Sequence, residues 1–328
     1  MKNLESECFT ISRLREEFKL RPQKDAPIAR TYKNSYGTIC KMYFKADCVP
    51  LLTRSARPSP KQVQARKAFI LRNKLKSKKM IACRKAFELL LLNPVFLDTE
   101  TTGLNDNDQV IEIGVIDSFG NKQFESRIKP TVGIKQRAFE VHGISDQDLL
   151  TAPTWLEIAS ELESVLSNRI CIIFNSKFDS RLLNQTAKAF EDGFEWWKTV
   201  ELHCAMKLAA QCFGSTNKYG SISLAAALDQ ANVVYSGAAH NALVDAQATV
   251  DLFRAMAQYY IELIEEKLKI KIDDEDKRQA WKIGRDSKIG GIGFEEATTM
   301  FGTTYSQNQL YQYFIAGFNG EECPQLTS

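Results

Sequence analysis

The sequence predicts an α/β fold: a mixed sheet flanked by helices over residues 94–268, with a basic, largely helical N-terminal extension and a small helical C-terminal appendage. Three observations lead there. Short apolar runs at 95–97 and 170–174 alternate with helical stretches from residue 94 onward. The strand candidates 109–117 and 122–128 are joined so tightly, at Asp117–Asn121, that they must be antiparallel. Residues 242–268 interleave acidic and apolar positions over the length of one long helix.

Taken in order, residues 1–60 have mixed patterning and no evident fold. Ile11–Leu20 reads as a short amphipathic helix, and Tyr32–Val49 has the aromatic and β-branched content of strands, with a turn at Asn34–Gly37. Pro50–Pro60 contains three prolines and reads as a linker. Residues 61–93 form a basic arm, in which ten Lys and Arg face the single acid Glu88. Its Ala, Leu, Lys, Arg and Gln content predicts helix, with a break near Ser77. Uncompensated cations on such a helix suit a phosphate-tracking surface, a role that falls to Lys74, Lys76, Lys78 and Lys79.

Within 94–268, helices are expected at 155–166, 181–190, 204–213 and 222–230, beside the long one at 242–268. Residues 269–278 carry the run Asp273-Asp274-Glu275-Asp276 and read as a solvated acidic linker, and 279–328 as a small helical region.

The charge distribution bounds the function. Residues 1–94 hold 22 basic against 7 acidic residues, whereas the remaining 234 hold 21 against 33. A basic front half joined to an acidic body points to a polyanionic partner. No apolar run approaches the roughly 18 residues of a membrane span. The N-terminus lacks an apolar secretory core, so a cytoplasmic location and no membrane partner are expected. The eight cysteines form no CxxC pair and read as reduced thiols.

The chemistry begins in FLDTETTGL, residues 96–104. Asp98 and Glu100 follow an apolar strand and share one face. Two close carboxylates repel unless a cation lies between them, and hard oxygen donors suit Mg²⁺ or Mn²⁺. Downstream, FNSKFD (174–179) delivers Asn175, Phe178 and Asp179 after a second apolar strand, and HNALVD (240–245) places His240 and Asp245 at the head of the long helix. Three acidic stations at the ends of separate elements can converge as a metal site. A neutral histidine nearby can take the proton of an attacking water. Taken singly, each acid reads more readily as a strand-end or helix-start residue than as a ligand.

In order and spacing these motifs resemble the DEDD exonuclease superfamily, histidine subclass, including RNase T and the proofreading subunit of the bacterial replicative polymerase. AFEVHGIS (138–145) and HCAMKLA (203–209) are similar to further family segments. The resemblance implies an RNase H-like exonuclease fold with a mixed five-stranded sheet. It implies two Mg²⁺ or Mn²⁺ ions held by Asp98, Glu100 and Asp245, with Asp179 supporting the metal shell, and His240 as general base. It further implies release of nucleoside 5′-monophosphates from single-stranded 3′ ends. Thr101, Thr102, Leu104, Asn175 and Phe178 become candidate contacts to the 3′ nucleotide, and His142 would lie near them. Phe174 stands where many members have His or Tyr, and Ala205 where relatives often have Thr.

DNA is expected ahead of RNA, with RNA trimming as the alternative enzyme. A nucleic-acid or ribosome-binding adaptor with an accessory nuclease domain is the alternative from another class. Residues 279–318, with Gly284 and Gly317 bracketing aromatics, are similar to the ribosome modulation factor family, which implies a ribosome partner, with a replication partner as the alternative. A helical pair packed on the nuclease body is the competing expectation for the same segment.

Overall fold

The computed structural model describes residues 7–34, 37–51, 58–235, 237, 239–270, 272, 274–301 and 310–324. The chain divides into two units, Met1–Val63 and Gln64–Ser328.

The first unit contains β1 (Cys8–Thr10), α1 (Ile11–Glu16), β2 (Leu20–Pro22), β3 (Arg30–Lys33), β4 (Ile39–Phe44) and β5 (Cys48–Pro50). β4 lies between β1 and β3 in an antiparallel sheet, and β2 pairs with β5. The helix expected to reach Leu20 stops at Glu16: Lys19 takes a left-handed φ of 51° and Leu20 enters β2. The expected turn closes through Gly37 N–H to Asn34 O, and Gly37 supplies the φ of 77° it needs. Of the expected linker 50–60, residues 52–57 lie outside the described residues.

The boundary falls within α2 (Pro60–Leu75), after which α3 (Lys78–Leu90) leads into β6 (Val95–Thr101), β7 (Val110–Asp117) and β8 (Lys122–Arg127). There follow α4 (Gln136–His142), α5 (Trp155–Leu166), β9 (Ile170–Ile173), α6 (Ser176–Ala189), β10 (Glu201–Cys204), α7 (Ala205–Phe213), α8 (Leu224–Gln230) and α9 (Ala242–Leu268). The chain then forms α10 (Asp274–Ile289), α11 (Phe294–Phe301) and α12 (Tyr311–Asn319).

The five-stranded sheet has the order β10-β9-β6-β7-β8, with β10, β9 and β6 parallel and β7 and β8 antiparallel. This is the mixed sheet that the resemblance implied. The fifth strand, β10, lies just ahead of the helix expected at 204–213 and overlaps it only at Cys204. Strand alternation sorts the core into two layers. Phe96 and Ile172 pack with α3, α7 and α9, where Phe96 meets Phe253 edge-on at 5.5 Å; Val95, Leu97, Cys171 and Ile173 pack with α5 and α6. Asp98 and Glu100, in phase with Phe96, therefore face α9.

The basic arm differs from the expectation over its second half. It does break at Ser77, whose hydroxyl accepts from Met80 N–H and starts α3. Yet α3 is core, with Met80, Ala82, Cys83, Ala86, Phe87, Leu89 and Leu90 buried. The Cys83 and Cys212 Sγ atoms meet 3.4 Å apart between α3 and α7. Only α2 is arm-like, with Leu71 its one buried residue. Lys79 lies over the rings of Tyr259 (4.3 Å) and Phe213 (5.5 Å), so its charge serves packing.

The acidic linker is also corrected. Asp274, Glu275 and Asp276 form the first turn of α10, where acids favour the helix start, and buried Asp276 pairs with Lys267 at 2.5 Å. The two glycines behind the ribosomal likeness have a packing reason. A Cβ on Gly284 would collide with Phe314 O, and one on Gly317 with Trp281 O, so they allow α10 and α12 to cross closely. Phe314 and Phe318 continue the core of the nuclease body.

Candidate active site

Four carboxylates reach one cavity from both faces of the sheet. Asp98 and Glu100 come from β6, which bulges between Glu100 and Thr101 just after presenting them. β9 runs parallel beside β6 and ends at Ile173, so α6 starts next to them, and Asp179 in its first turn is 3% exposed. Its Oδ1 accepts from Thr99 Oγ1 at 2.8 Å, and Thr99 lies on the strand face opposite Asp98 and Glu100. Asp245 sits in the first turn of α9, whose cap Asn241 accepts from Val244 N–H. Both helix starts direct their positive ends toward the cluster.

His240 precedes that cap, exposed, with a left-handed φ of 64°. Its ring nitrogen and one oxygen each from Glu100 and Asp245 lie within 4.8 Å of one another, a set that could hold a metal ion.

The electrostatics show what the cluster lacks. Burial first, then the charges of Asp179, Asp245 and Glu100, raise the Asp98 carboxyl well above the usual range. Glu100 is pushed up to about 8 by burial and by Asp245, Glu112 and Asp179. Burial lifts Asp179 to about 7, against the Thr99 hydrogen bond, and Asp245 to about 6. Four hard-oxygen donors that resist ionising together fit divalent cations of the Mg²⁺ class.

The cavity measures about 600 Å³. All five expected catalytic and metal residues line it, as do Thr101, Leu104, Asn175 and Phe178. Leu104 is 72% exposed, and Phe178 divides its surface between the cavity and the α5–α6 core. Thr102 does not line the cavity. It is fully buried; its hydroxyl donates to Asp108 Oδ1 and accepts from Gln109 N–H, fixing the loop after β6. Lys74, Lys76, Lys78 and Lys79 do not line it either. Lys74 and Lys79 border a groove at the far half of α9 with Tyr259 and Glu262. At about 1.5 Å rise per residue, Tyr259 stands roughly 21 Å along that helix from Asp245.

His142 lines the cavity but is held from two sides. Its Nδ1 accepts from Ile144 N–H, which leaves Nε2–H to donate to Thr101 O at 3.1 Å. Burial lowers its pKa, so the ring is neutral and pins α4 to the end of β6. His203 pairs with Glu201 at 2.7 Å on the edge strand.

Several site residues escaped the sequence reading. Glu112, 5% exposed and opposite Glu100 on β7, accepts from Ala242 N–H and Asn241 Nδ2 through Oε1 and from Arg127 through Oε2. It thereby seats the start of α9. A lone acid inside the apolar run VIEIGVI was the available signal. Gly114, opposite Asp98, lets α9 touch the sheet. The Tyr235 hydroxyl donates to Asp245 Oδ1. Lys135 and exposed Arg137 border the cavity, Lys135 paired with Asp108 at 2.5 Å; the two cations just before AFEVHGIS were their signal.

The sequence model of the exonuclease family RNase T matches residues 95–253. The uncharacterized exonuclease CP81 of Escherichia phage 186 is 35% identical over 170 residues, covering 50% of this chain and 88% of that protein. The chain belongs to this exonuclease family. A DNA polymerase III subunit epsilon of Buchnera aphidicola subsp. Schizaphis graminum is 30% identical over 159 residues, 44% of this chain and 67% of that protein. Among solved structures, exonuclease X in complex with 5′ overhanging duplex DNA aligns with a TM-score of 0.36 at 22% identity, covering 48% of this chain and 88% of that one. As a member of the family the exonuclease is a nuclease hydrolase, and no helix among its described residues is long and apolar enough to cross a membrane.

Proposed function

We propose that the exonuclease removes nucleoside 5′-monophosphates from single-stranded 3′ ends, DNA ahead of RNA. The observation that carries this is the convergence of Asp98, Glu100, Asp179, Asp245 and His240 on one cavity. Two Mg²⁺ or Mn²⁺ ions, when bound, would lower the cost of ionising water and of releasing the 3′ oxygen. Asp98, Glu100 and Asp245 would hold them from two elements, with Asp179 supporting from α6. His240, exposed beside Glu100 and Asp245, takes the proton of the attacking water. Leu104, Val141 and Phe178 present apolar surface to the terminal base, while Asn175 and Thr101 present polar groups. Arg137 offers a cation to the phosphate chain.

DNA is favoured by the relatives named as polymerase subunits. The exposed Lys74, Lys76 and Lys78 would add sequence-independent affinity for strands long enough to reach them.

The test gives the purified chain matched 3′- and 5′-labelled DNA and RNA oligonucleotides with Mg²⁺ or Mn²⁺, beside chelator and Asp98→Ala controls. Stepwise release of mononucleotides from the 3′ end, lost in both controls, is expected. Release from 5′ ends only, or none with either metal, refutes the proposal; faster RNA trimming reverses the sugar preference.

A further inference from the structure

The first unit carries a surface that the active site leaves unexplained. Residues 26–46 contain no acid, and they contain Arg30, Lys33, Lys41 and Lys45. The unit as a whole has 13 basic residues against 6 acidic ones. The acid-free stretch folds as the β3–β4 hairpin, in which Arg30 stands opposite Met42 and Lys33 opposite Ile39.

All four residues of β3 are exposed, on both faces, and its outer edge has no strand beside it among the described residues. Alternation sorts the side chains. Arg30 and Tyr32 share one face, where Tyr32 is 46% exposed beside that cation. Lys33, Lys41 and Ile39, the last 62% exposed, share the other. An edge strand left open and flat invites pairing with other chains, and charge is the usual guard. The cations alone would serve as that guard. They do not account for the open ring of Tyr32 beside Arg30.

We propose that this hairpin is a second nucleic-acid contact, binding a single strand through its phosphates and one stacked base. Arg30, Lys33 and Lys41 supply the charge, and Tyr32 supplies the ring on which a base can lie. A single strand is the occupant these observations favour, because its bases are free to stack.

The test measures binding of the full chain in chelator, by fluorescence anisotropy, to a labelled oligothymidylate and to a duplex of equal length across a salt series. The variants are Tyr32→Ala alone and the triple Arg30→Gln, Lys33→Gln, Lys41→Gln, each checked for folding by circular dichroism. The triple variant is expected to bind at least about tenfold more weakly, and its log–log salt slope to shrink by about 2, near 0.7 for each phosphate no longer neutralised. Tyr32→Ala should weaken single-strand binding about tenfold and leave duplex binding unchanged. Hydrolysis of a labelled dinucleotide by either variant should match the parent. Because binding is read without catalysis, an inactive parent would sink the proposed function and leave this result standing. Folded variants with unchanged affinity and slope overturn the proposal. So does a self-association of the parent that the triple variant abolishes while strand binding stays intact, since that would assign the hairpin to a second copy of the chain.

Discussion

Gly114→Ala is the sharpest perturbation of the active site that touches none of its reactive groups. A Cβ at position 114 would lie 2.5 Å from Leu243 N, 2.6 Å from Leu243 Cα and 2.7 Å from Ala242 C, all backbone atoms of the first turn of α9. Ordinary contact needs about 3.4 Å or more, so α9 and β7 must separate by roughly 0.7–0.9 Å. That turn carries Asp245 and follows directly on His240, whereas Asp98 stays on β6 opposite position 114. The change therefore moves one half of the carboxylate cluster against the other. Overpacking should cost about 1–3 kcal/mol of stability. Misplacement near 1 Å should lower kcat about 100-fold. The assay is oligonucleotide hydrolysis at saturating Mg²⁺, with thermal unfolding in parallel and Gly133→Ala as control. The nearest atom a Cβ would meet at Gly133 is Asp146 Oδ1 at 4.0 Å, so that variant should be neutral. A folded Gly114→Ala enzyme with kcat within about twofold of the parent would show that the α9–sheet spacing does not set the geometry of the site.

Three further outcomes are expected. Because Glu100, Asp179 and Asp245 sit at about 8, 7 and 6 when folded, the native state holds protons that the unfolded chain releases near pH 4. Through these groups the metal-free protein loses stability as pH rises from about 4 to 8, and Mg²⁺ or Mn²⁺ should raise Tm more at about pH 8.5 than at pH 6; equal increments would contradict the charge reading. Tyr235→Phe removes the donor to Asp245 and should weaken Mn²⁺ binding about tenfold by calorimetry, with unchanged affinity counting against that support. Changing Lys74, Lys76 and Lys78 to Gln should raise KM for long strands and reduce the salt slope by about 2, while dinucleotide hydrolysis is unaffected. Adding Lys79→Gln should also lower Tm, since that cation stacks on Tyr259 and Phe213.

Much of the site was readable because its chemistry is written locally. Asp98 and Glu100 share a face by strand geometry alone, and Asp245 follows a His-Asn pair at the start of a helix whose ends the sequence marked correctly at 242 and 268. Strand β10 was hidden because four residues, Glu201–Cys204, are too few to show alternation ahead of a helix. The core role of helix α3 is hidden for another reason. Its lysines and arginine dominate composition, while Ala82, Cys83, Ala86 and Phe87, at helical spacing, are what the fold buries. Composition averages over faces, and burial selects one.

By itself, then, the chain determined the donors, their order and their strand-end or helix-start positions, because those follow from neighbours within a turn or two. The tertiary structure decided which donors meet. β9 had to insert parallel beside β6 for Asp179 to reach Thr99 from the opposite face. Helix α9 had to return across β7, admitted by Gly114 and seated by Glu112, for Asp245 and His240 to face Glu100. Such approaches join segments at least 76 residues apart, where a bare hydrogen on Gly114 or a buried carboxylate on Glu112 matters only once its distant partner is in place.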